Sequence, residues 1–367
     1  MRIAIVGPTF PYKGGGAHHT TELAHRLVAA GHDVILESWR TQYPAFAYPG
    51  RLIISEPEGE PFPATVWELS WHDPIGWVRA GRRLRSSDLV VFTVLTPLQV
   101  PAYHGILTGL GRRGAKRGAR AGAGTVALCH NVLPHERKAY DRLLMCTLLR
   151  RVDQVLVHSA EQAALARTLT PRPISVAGLP PHLPARRAKD DRQDGRHDRL
   201  LFFGIVRPYK GLDILLRALA AGPPEISLTV AGEFWGGLEE TRRQVRALGL
   251  TDRVELRPGY VPAAAIPELF DGVDALVLPY RSATASQNVA LAFEQGVPVI
   301  ATTAGALAEH VSDGVNGVLC DPGDVGSLTD ALKRFYADGE PDRLRSGVRA
   351  VDPAPYWARY LDELLKP

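Results

Sequence analysis

The sequence predicts an α/β protein built from two doubly wound parallel sheets. Three observations point there. At 367 residues the chain exceeds what one ordinary core accommodates. Short β-rich apolar runs alternate with helical-period segments through both halves, the pattern of a parallel sheet wrapped by helices. Between the halves, from Leu179 to Arg199, the pattern stops.

In the first half, Arg2 to Val6 reads as a buried strand and about His18 to Ala30 as a helix that ends at Gly31. Further strands are expected at Asp33 to Glu37, Leu89 to Val94, Thr125 to Cys129 and Gln154 to Val157. The break carries prolines and then Arg186 to Asp194, a charged run without apolar period, so it is read as a linker. A second series follows, with strands at Leu200 to Phe203, Ser227 to Ala231, Val254 to Leu256, Ala275 to Leu278 and Val299 to Ala301. Helices are expected at Leu212 to Ala220, Leu328 to Ala337 and Pro355 to Leu365. The expected domains are 1–184, a linker over 185–199, 200–352, and a C-terminal helix within 353–367 that crosses back to the first domain.

Composition narrows the class. Hydrophobic residues make up 45% and charged residues 22%, as in soluble globular chains. The apolar start is too short for a signal peptide and lacks a cleavage site. The uncharged stretch from Leu89 to Leu110 is interrupted by Pro97, Pro101 and His104, which argues for strand, loop and helix instead of a membrane span. Three cysteines without metal-ligand spacing suggest a reducing cytoplasm. Net charge is +4, but residues 1–184 hold 21 Lys and Arg against 13 Asp and Glu. An anionic partner for that half and plain solubility charge both fit.

Ligands of doubly wound sheets bind at the carboxyl ends of the strands, and three segments there carry chemistry. The first is the glycine-rich loop Gly14-Gly15-Gly16, which lets backbone approach a ligand and aims N–H groups at an anion. Its spacing is not that of a dinucleotide fingerprint. In the second, Gly204 is followed by Arg207, Lys210 and Gly211 at a helix start, and cations there suit a pyrophosphate. The third opens a helix at Ser286-Gln287-Asn288-Val289 and carries Glu294 about two turns on, roughly 12 Å away. That is the span from phosphates to ribose in a nucleotide.

Taken together, Gly204 to Gly211, Gly259-Tyr260-Val261, Asp274 to Tyr280, Glu294 to Gly317 and Pro322-Gly323-Asp324 resemble the donor domain of the retaining glycosyltransferases of family 4, glycosyl transferases group 1, which have the two-domain GT-B fold. Gly31-His32-Asp33-Val34, His130 to Glu136 and His158-Ser159 extend the likeness over nearly the whole chain. The resemblance implies a diphosphate contact for Lys210 and a ribose contact for Glu294. It implies backbone contacts to phosphate from Gln287, Asn288 and Val289, and base recognition near Gly259, Tyr260 and Val261. Gly15 and Gly16 would approach the donor from the other domain, and His130 would lie near the sugar. Arg207 stands two positions after the family's arginine site, here Ile205, and Ser286 replaces the first glutamate of the family's paired-glutamate motif.

The expected activity is transfer of a hexosyl group from a nucleoside-diphosphate sugar to an acceptor hydroxyl, with retention at the anomeric carbon. The acceptor expected is a carbohydrate, a lipid-linked sugar or a small molecule, and nucleic acid is not expected as a partner. No cofactor is expected, and no metal, because no Asp-x-Asp follows a strand end. A sugar-nucleotide epimerase and a non-catalytic sugar-nucleotide-binding protein are the competing readings. Arg79, Arg82, Arg83 and Arg85 follow Trp67, Trp71 and Trp77, and a second basic cluster runs from Arg112 to Arg120. These raise peripheral contact with an anionic membrane as a further expectation.

Overall fold

A computed structural model describes residues 1–44, 52–111, 123–182, 198–283 and 286–366. The second basic cluster and the charged run read as a linker lie outside these. The chain divides into two compact units, one of residues 1–182 with 353–367, the other extending to Asp352 and described from Asp198.

The first unit contains, in order, β1 (Arg2–Val6), α1 (Gly15–Ala29), β2 (Asp33–Thr41), β3 (Thr65–Ser70), α2 (Pro74–Arg83) and β4 (Leu89–Val94). It continues with α3 (Val100–Leu110), β5 (Gly124–Cys129), α4 (Asp141–Leu149), β6 (Gln154–Val157), α5 (Ala160–Arg167) and β7 (Ile174–Val176). Its sheet has the order β3-β2-β1-β4-β5-β6-β7, and the pairs are parallel. Alternation along β1 serves both faces: Ala4 and Val6 enter one core, Ile3 and Ile5 the other.

The second unit runs β8 (Arg199–Phe203), α6 (Leu212–Ala221), β9 (Ser227–Gly232), α7 (Leu238–Ala247), β10 (Val254–Pro258), α8 (Ile266–Phe270) and β11 (Ala275–Leu278). It closes with α9 (Asn288–Glu294), β12 (Val299–Thr302), β13 (Gly317–Cys320), α10 (Val325–Phe335) and α11 (Glu340–Gly347). The sheet order is β10-β9-β8-β11-β12-β13, again parallel. Leu200 and Phe202 face one core, Leu201 the other. The last helix, α12 (Pro353–Leu364), lies in the first unit, where Trp357, Tyr360 and Leu364 complete the core that holds Ile3 and Ile5.

The central strands fall where their apolar runs predict them. The strands without a sequence signal, β3, β7 and β13, all lie at sheet edges. β3 is partly exposed, with Trp67 and Glu68 facing solvent, and β7 is only half-buried over its three residues. Such strands need no continuous apolar run. Several helices begin elsewhere than expected, α10 and α12 two or three residues early, at Val325 and Pro353. α1 starts at Gly15, so the last two loop glycines are its first residues, and α9 starts at Asn288 instead of Ser286.

Candidate functional site

In the second unit the strand order reverses between β8 and β11, and the loops leaving these two strands meet there. After β8 the chain passes Gly204 and an extended Arg207, makes a single turn over Pro208–Lys210, and enters α6 through Gly211. The Lys210 ammonium lies 5.2 Å above the ring of Tyr280, which follows β11. A Cβ on Gly204 would lie 3.1 Å from Lys210 Nζ, so a larger residue there would crowd the ammonium. Arg207 stands over Trp235 at 4.9 Å and Tyr209 at 6.0 Å. Both cations are therefore seated on aromatic faces, which attract positive charge without neutralising it. Burial, helped by the charge of Arg207, pulls the Lys210 ammonium below its ordinary value.

The start of α9 joins this cluster through Asn288. Its Nδ2 donates to Phe203 O at 3.0 Å and to the Tyr280 hydroxyl at 3.3 Å. Ser286 Oγ accepts the Asn288 N–H at 3.3 Å and also bonds the Tyr280 hydroxyl. Burial outweighs these bonds and pushes the Tyr280 phenol up to about 12, so it remains a neutral donor and acceptor. Thr302 Oγ1 donates to Tyr280 O at 2.7 Å and fixes the backbone behind it.

The structure thus gathers Gly204, Lys210, Ser286 and Asn288 around Tyr280, with Arg207 alongside. Gln287 precedes α9, and Val289 is buried in the core, leaving only its backbone for contacts. Glu294, half-buried, is the last residue of α9, about 9 Å along the axis from Asn288. Gly259 stands beside the end of β9, donating its N–H to Gly232 O at 3.0 Å, and Tyr260 and Val261 follow it. Sequence reasoning did not identify Tyr280 as a seat for the lysine. An aromatic residue directly after a buried strand was the available signal.

In the first unit, Gly15 and Gly16 open α1. Gly16 packs against Leu95, whose side chain a Cβ would have to displace, and Gly15 O accepts from His182 Nε2 at 3.0 Å. His130 follows β5 and belongs to a cluster that its position alone does not suggest. Its ring lies 4.9 Å from His19 and 5.0 Å from His158, and His19 lies 5.1 Å from His182. Trp357 and Tyr360 of α12 cover His19 at 5.6 and 5.3 Å. Both ring nitrogens of His19 and Nε2 of His130 and His158 are buried without a hydrogen-bond partner. Burial, and for His19 and His130 the neighbouring imidazoles, drives these rings to the neutral form. Among the described residues no three His, Cys, Asp or Glu side chains are arranged to hold a metal ion.

Two Rossmann-like units with parallel sheets of seven and six strands define the GT-B class of glycosyltransferase fold. The likeness to solved structures extends over the full chain. Sucrose-phosphate synthase from Thermosynechococcus elongatus superposes with a TM-score of 0.73 at 17% identity, covering 99% of this chain and 98% of that one. HepE from Anabaena, in complex with UDP, gives 0.70 at 17% identity, covering 99% of both chains. Residues 197–338 match the model of the family described as Glycosyl transferases group 1. Among curated relatives, the D-inositol 3-phosphate glycosyltransferase of Xylanimonas cellulosilytica is 33% identical over 43% of this chain and 39% of its own length. That of Mycolicibacterium vanbaalenii is 30% identical over 62% of this chain and 52% of its own length. The chain thus spans about half the length or less of these relatives.

Proposed function

We propose that this chain is a retaining glycosyltransferase that moves a hexosyl group from a nucleoside-diphosphate sugar to an acceptor hydroxyl, in glycan, glycolipid or glycosylated natural-product biosynthesis. One observation carries the reading: Lys210 and Arg207, seated on aromatic rings at the switch point of the second unit, beside the Asn288–Tyr280–Ser286 cluster. Breaking the bond from the anomeric carbon to the phosphate oxygen leaves negative charge on the diphosphate and positive charge on the sugar. The two cations are fixed before that charge develops, which is how an electrostatic site lowers a barrier. Glu294, one helix length away, takes the ribose hydroxyls. The acceptor attacks from the face the diphosphate leaves, and its proton passes to the departing phosphate oxygen. This route needs no carboxylate as nucleophile, and Asp213, just after the cation turn, is bound to Arg281.

No cofactor beyond the sugar nucleotide is proposed, and the free thiols Cys129, Cys146 and Cys320 suit a reducing cytoplasm. Incubation with a panel of nucleotide sugars and an acceptor extract tests the reading. Transfer to the acceptor supports it. Isomerisation of the donor would favour an epimerase, and binding without turnover a non-catalytic role. UDP-sugars come first, since the similar HepE structure contains UDP.

A specific surface also supports peripheral membrane contact. Trp67 and Trp71 are each 41% exposed and Ile75 is 73% exposed, on and beside α2. Arg79 and Arg82 are exposed on the same helix, whereas Arg83 is spent on Glu37 at 2.6 Å and Glu68 at 2.7 Å. Trp77 is turned into the core, its Nε1 donating to Ser70 O at 2.6 Å. Exposed indole beside free arginine suits an anionic headgroup layer. No described helix is long and apolar enough to cross a membrane. Vesicle co-sedimentation should require anionic lipid, weaken as salt rises, and fall in Trp71→Ala and Arg79→Ala. Equal recovery with neutral vesicles sinks the idea and leaves a soluble acceptor.

A further inference from the structure

The donor reading gives no role to Arg281, the residue after Tyr280, yet this side chain is the main tie between the two loops that meet at the switch point. Its backbone N–H donates to Tyr209 O at 2.7 Å. Its Nη1 donates to Pro208 O at 2.6 Å, the carbonyl that also closes the cation turn by accepting the Gly211 N–H at 3.2 Å. Nη1 and Nη2 then form a two-pronged pair with Asp213 at 2.8 and 2.7 Å, in the first turn of α6. The turn that carries Lys210 is therefore gripped at Pro208, at Tyr209 and just beyond its end.

The backbones beneath this grip are themselves in contact. Gly211 has φ +69°, and a Cβ there would run into the Pro279 carbonyl. Pro279, Tyr280 and Arg281 thus act as one short rail, with its carbonyl against Gly211, its ring under Lys210 and its guanidinium around Pro208 and Asp213.

The Arg281–Asp213 pair is 40% and 35% exposed, a setting in which ion pairs contribute little to stability. What a forked arginine–carboxylate pair adds is direction, since two parallel bonds fix angle as well as distance. A lysine cannot reproduce the fork. Misplacing a catalytic group by about 1 Å can cost on the order of 10²-fold in rate, so a brace on this turn matters more to function than to folding.

We infer that Arg281, anchored by Asp213, is a positioning residue that sets where the Lys210 ammonium stands against the donor diphosphate. The inference rests on the donor-site reading above and names a residue outside the motifs from which that reading came.

Calorimetry with UDP and UMP on the intact chain tests it, after a thermal-shift screen of the wild type with UDP, ADP, GDP and dTDP to choose the base, the matching monophosphate replacing UMP if another base is chosen. Arg281→Ala and Asp213→Asn should each bind UDP about tenfold more weakly, while UMP affinity changes by less than about twofold and Tm stays close to wild type. Arg281→Lys should not restore UDP binding. Combined with Lys210→Ala, the Arg281→Ala change should add almost nothing, because it acts through that lysine. Unchanged UDP affinity in Arg281→Ala, equal losses for UDP and UMP, or full additivity with Lys210→Ala would each overturn the inference and leave the donor site standing. Should Arg281→Ala not fold, the near-isosteric Asp213→Asn carries the same comparison. A wild type that binds none of the four diphosphates removes the donor reading itself, and this inference with it.

Discussion

At the scale of single residues, the proposed activity depends most on Lys210. Its ammonium is held over Tyr280, and among the described residues no carboxylate forms an ion pair with it, so its charge is available to an anion. Lys210→Ala should reduce turnover by roughly 10² or more, the size expected on removing a main electrostatic contact. Turnover within about threefold of wild type would reject the assignment. Because burial and Arg207 lower its pKa, diphosphate affinity should begin to fall at a lower pH than an ordinary lysine would allow, as the pH is raised. Glu294 makes a separate prediction. Losing a charge-assisted hydrogen bond to ribose should cost about 1.5–3 kcal/mol of nucleotide binding, read by calorimetry on Glu294→Ala. Unchanged affinity would leave α9 with phosphate contacts alone.

At the scale of elements, α12 is informative because it follows the second unit in sequence and packs in the first. Trp357 and Tyr360 are buried, and Trp357 Nε1 donates to Pro181 O at 3.0 Å. Trp357→Ala opens a cavity in the core shared with Ile3, Ile5 and Leu36, and should destabilise the first unit by about 3–5 kcal/mol. Denaturant unfolding measures this, and a loss under 1 kcal/mol would show that the helix only rests on the surface. The helix was legible in advance from its amphipathic pattern and aromatic start. Its place under the histidines was not, because periodicity reports that a face is buried and not what buries it. The short α9 shows the converse. A helix was expected there, while the hydrogen bond from the Asn288 N–H to Ser286 Oγ at its start is invisible in the sequence.

At the scale of the whole molecule, the histidine cluster couples stability to pH. Unfolded imidazoles take up a proton near pH 6.5. In the folded first unit burial keeps the proton off, so His158 and His182 bind it only at about 4, and His19 and His130 are lowered well below their ordinary value. Between about pH 4 and 6.5 the unfolded chain therefore binds more protons than the folded one. Stability is complete above pH 6.5 and drains away as pH falls through that window. Each 1 kcal/mol lost should lower Tm by about 2–4 °C for a unit of this size. Thermal unfolding followed from pH 7.5 to 5 should show the decline, with a shallower slope in His19→Leu. A flat profile in the wild type contradicts this account.

The sequence by itself determined the doubly wound α/β class and the central strands, and it singled out Lys210, Arg207, Gly204 and Glu294 as the candidates on which the proposed function rests. It could do so because buried parallel strands must be continuous apolar runs, and because a loop between such a strand and a helix needs glycine and cations in fixed order to meet a phosphate. Only the tertiary structure decided which side chains stand next to one another across loops far apart in the chain. His19 meets His130 and His158, Arg281 reaches Pro208 and Asp213, and Tyr280 lies beneath Lys210. The physical reason is that local pattern fixes the period and burial of an element, whereas these contacts depend on sheet order, β8 beside β11 and β1 beside β4, which no short segment encodes.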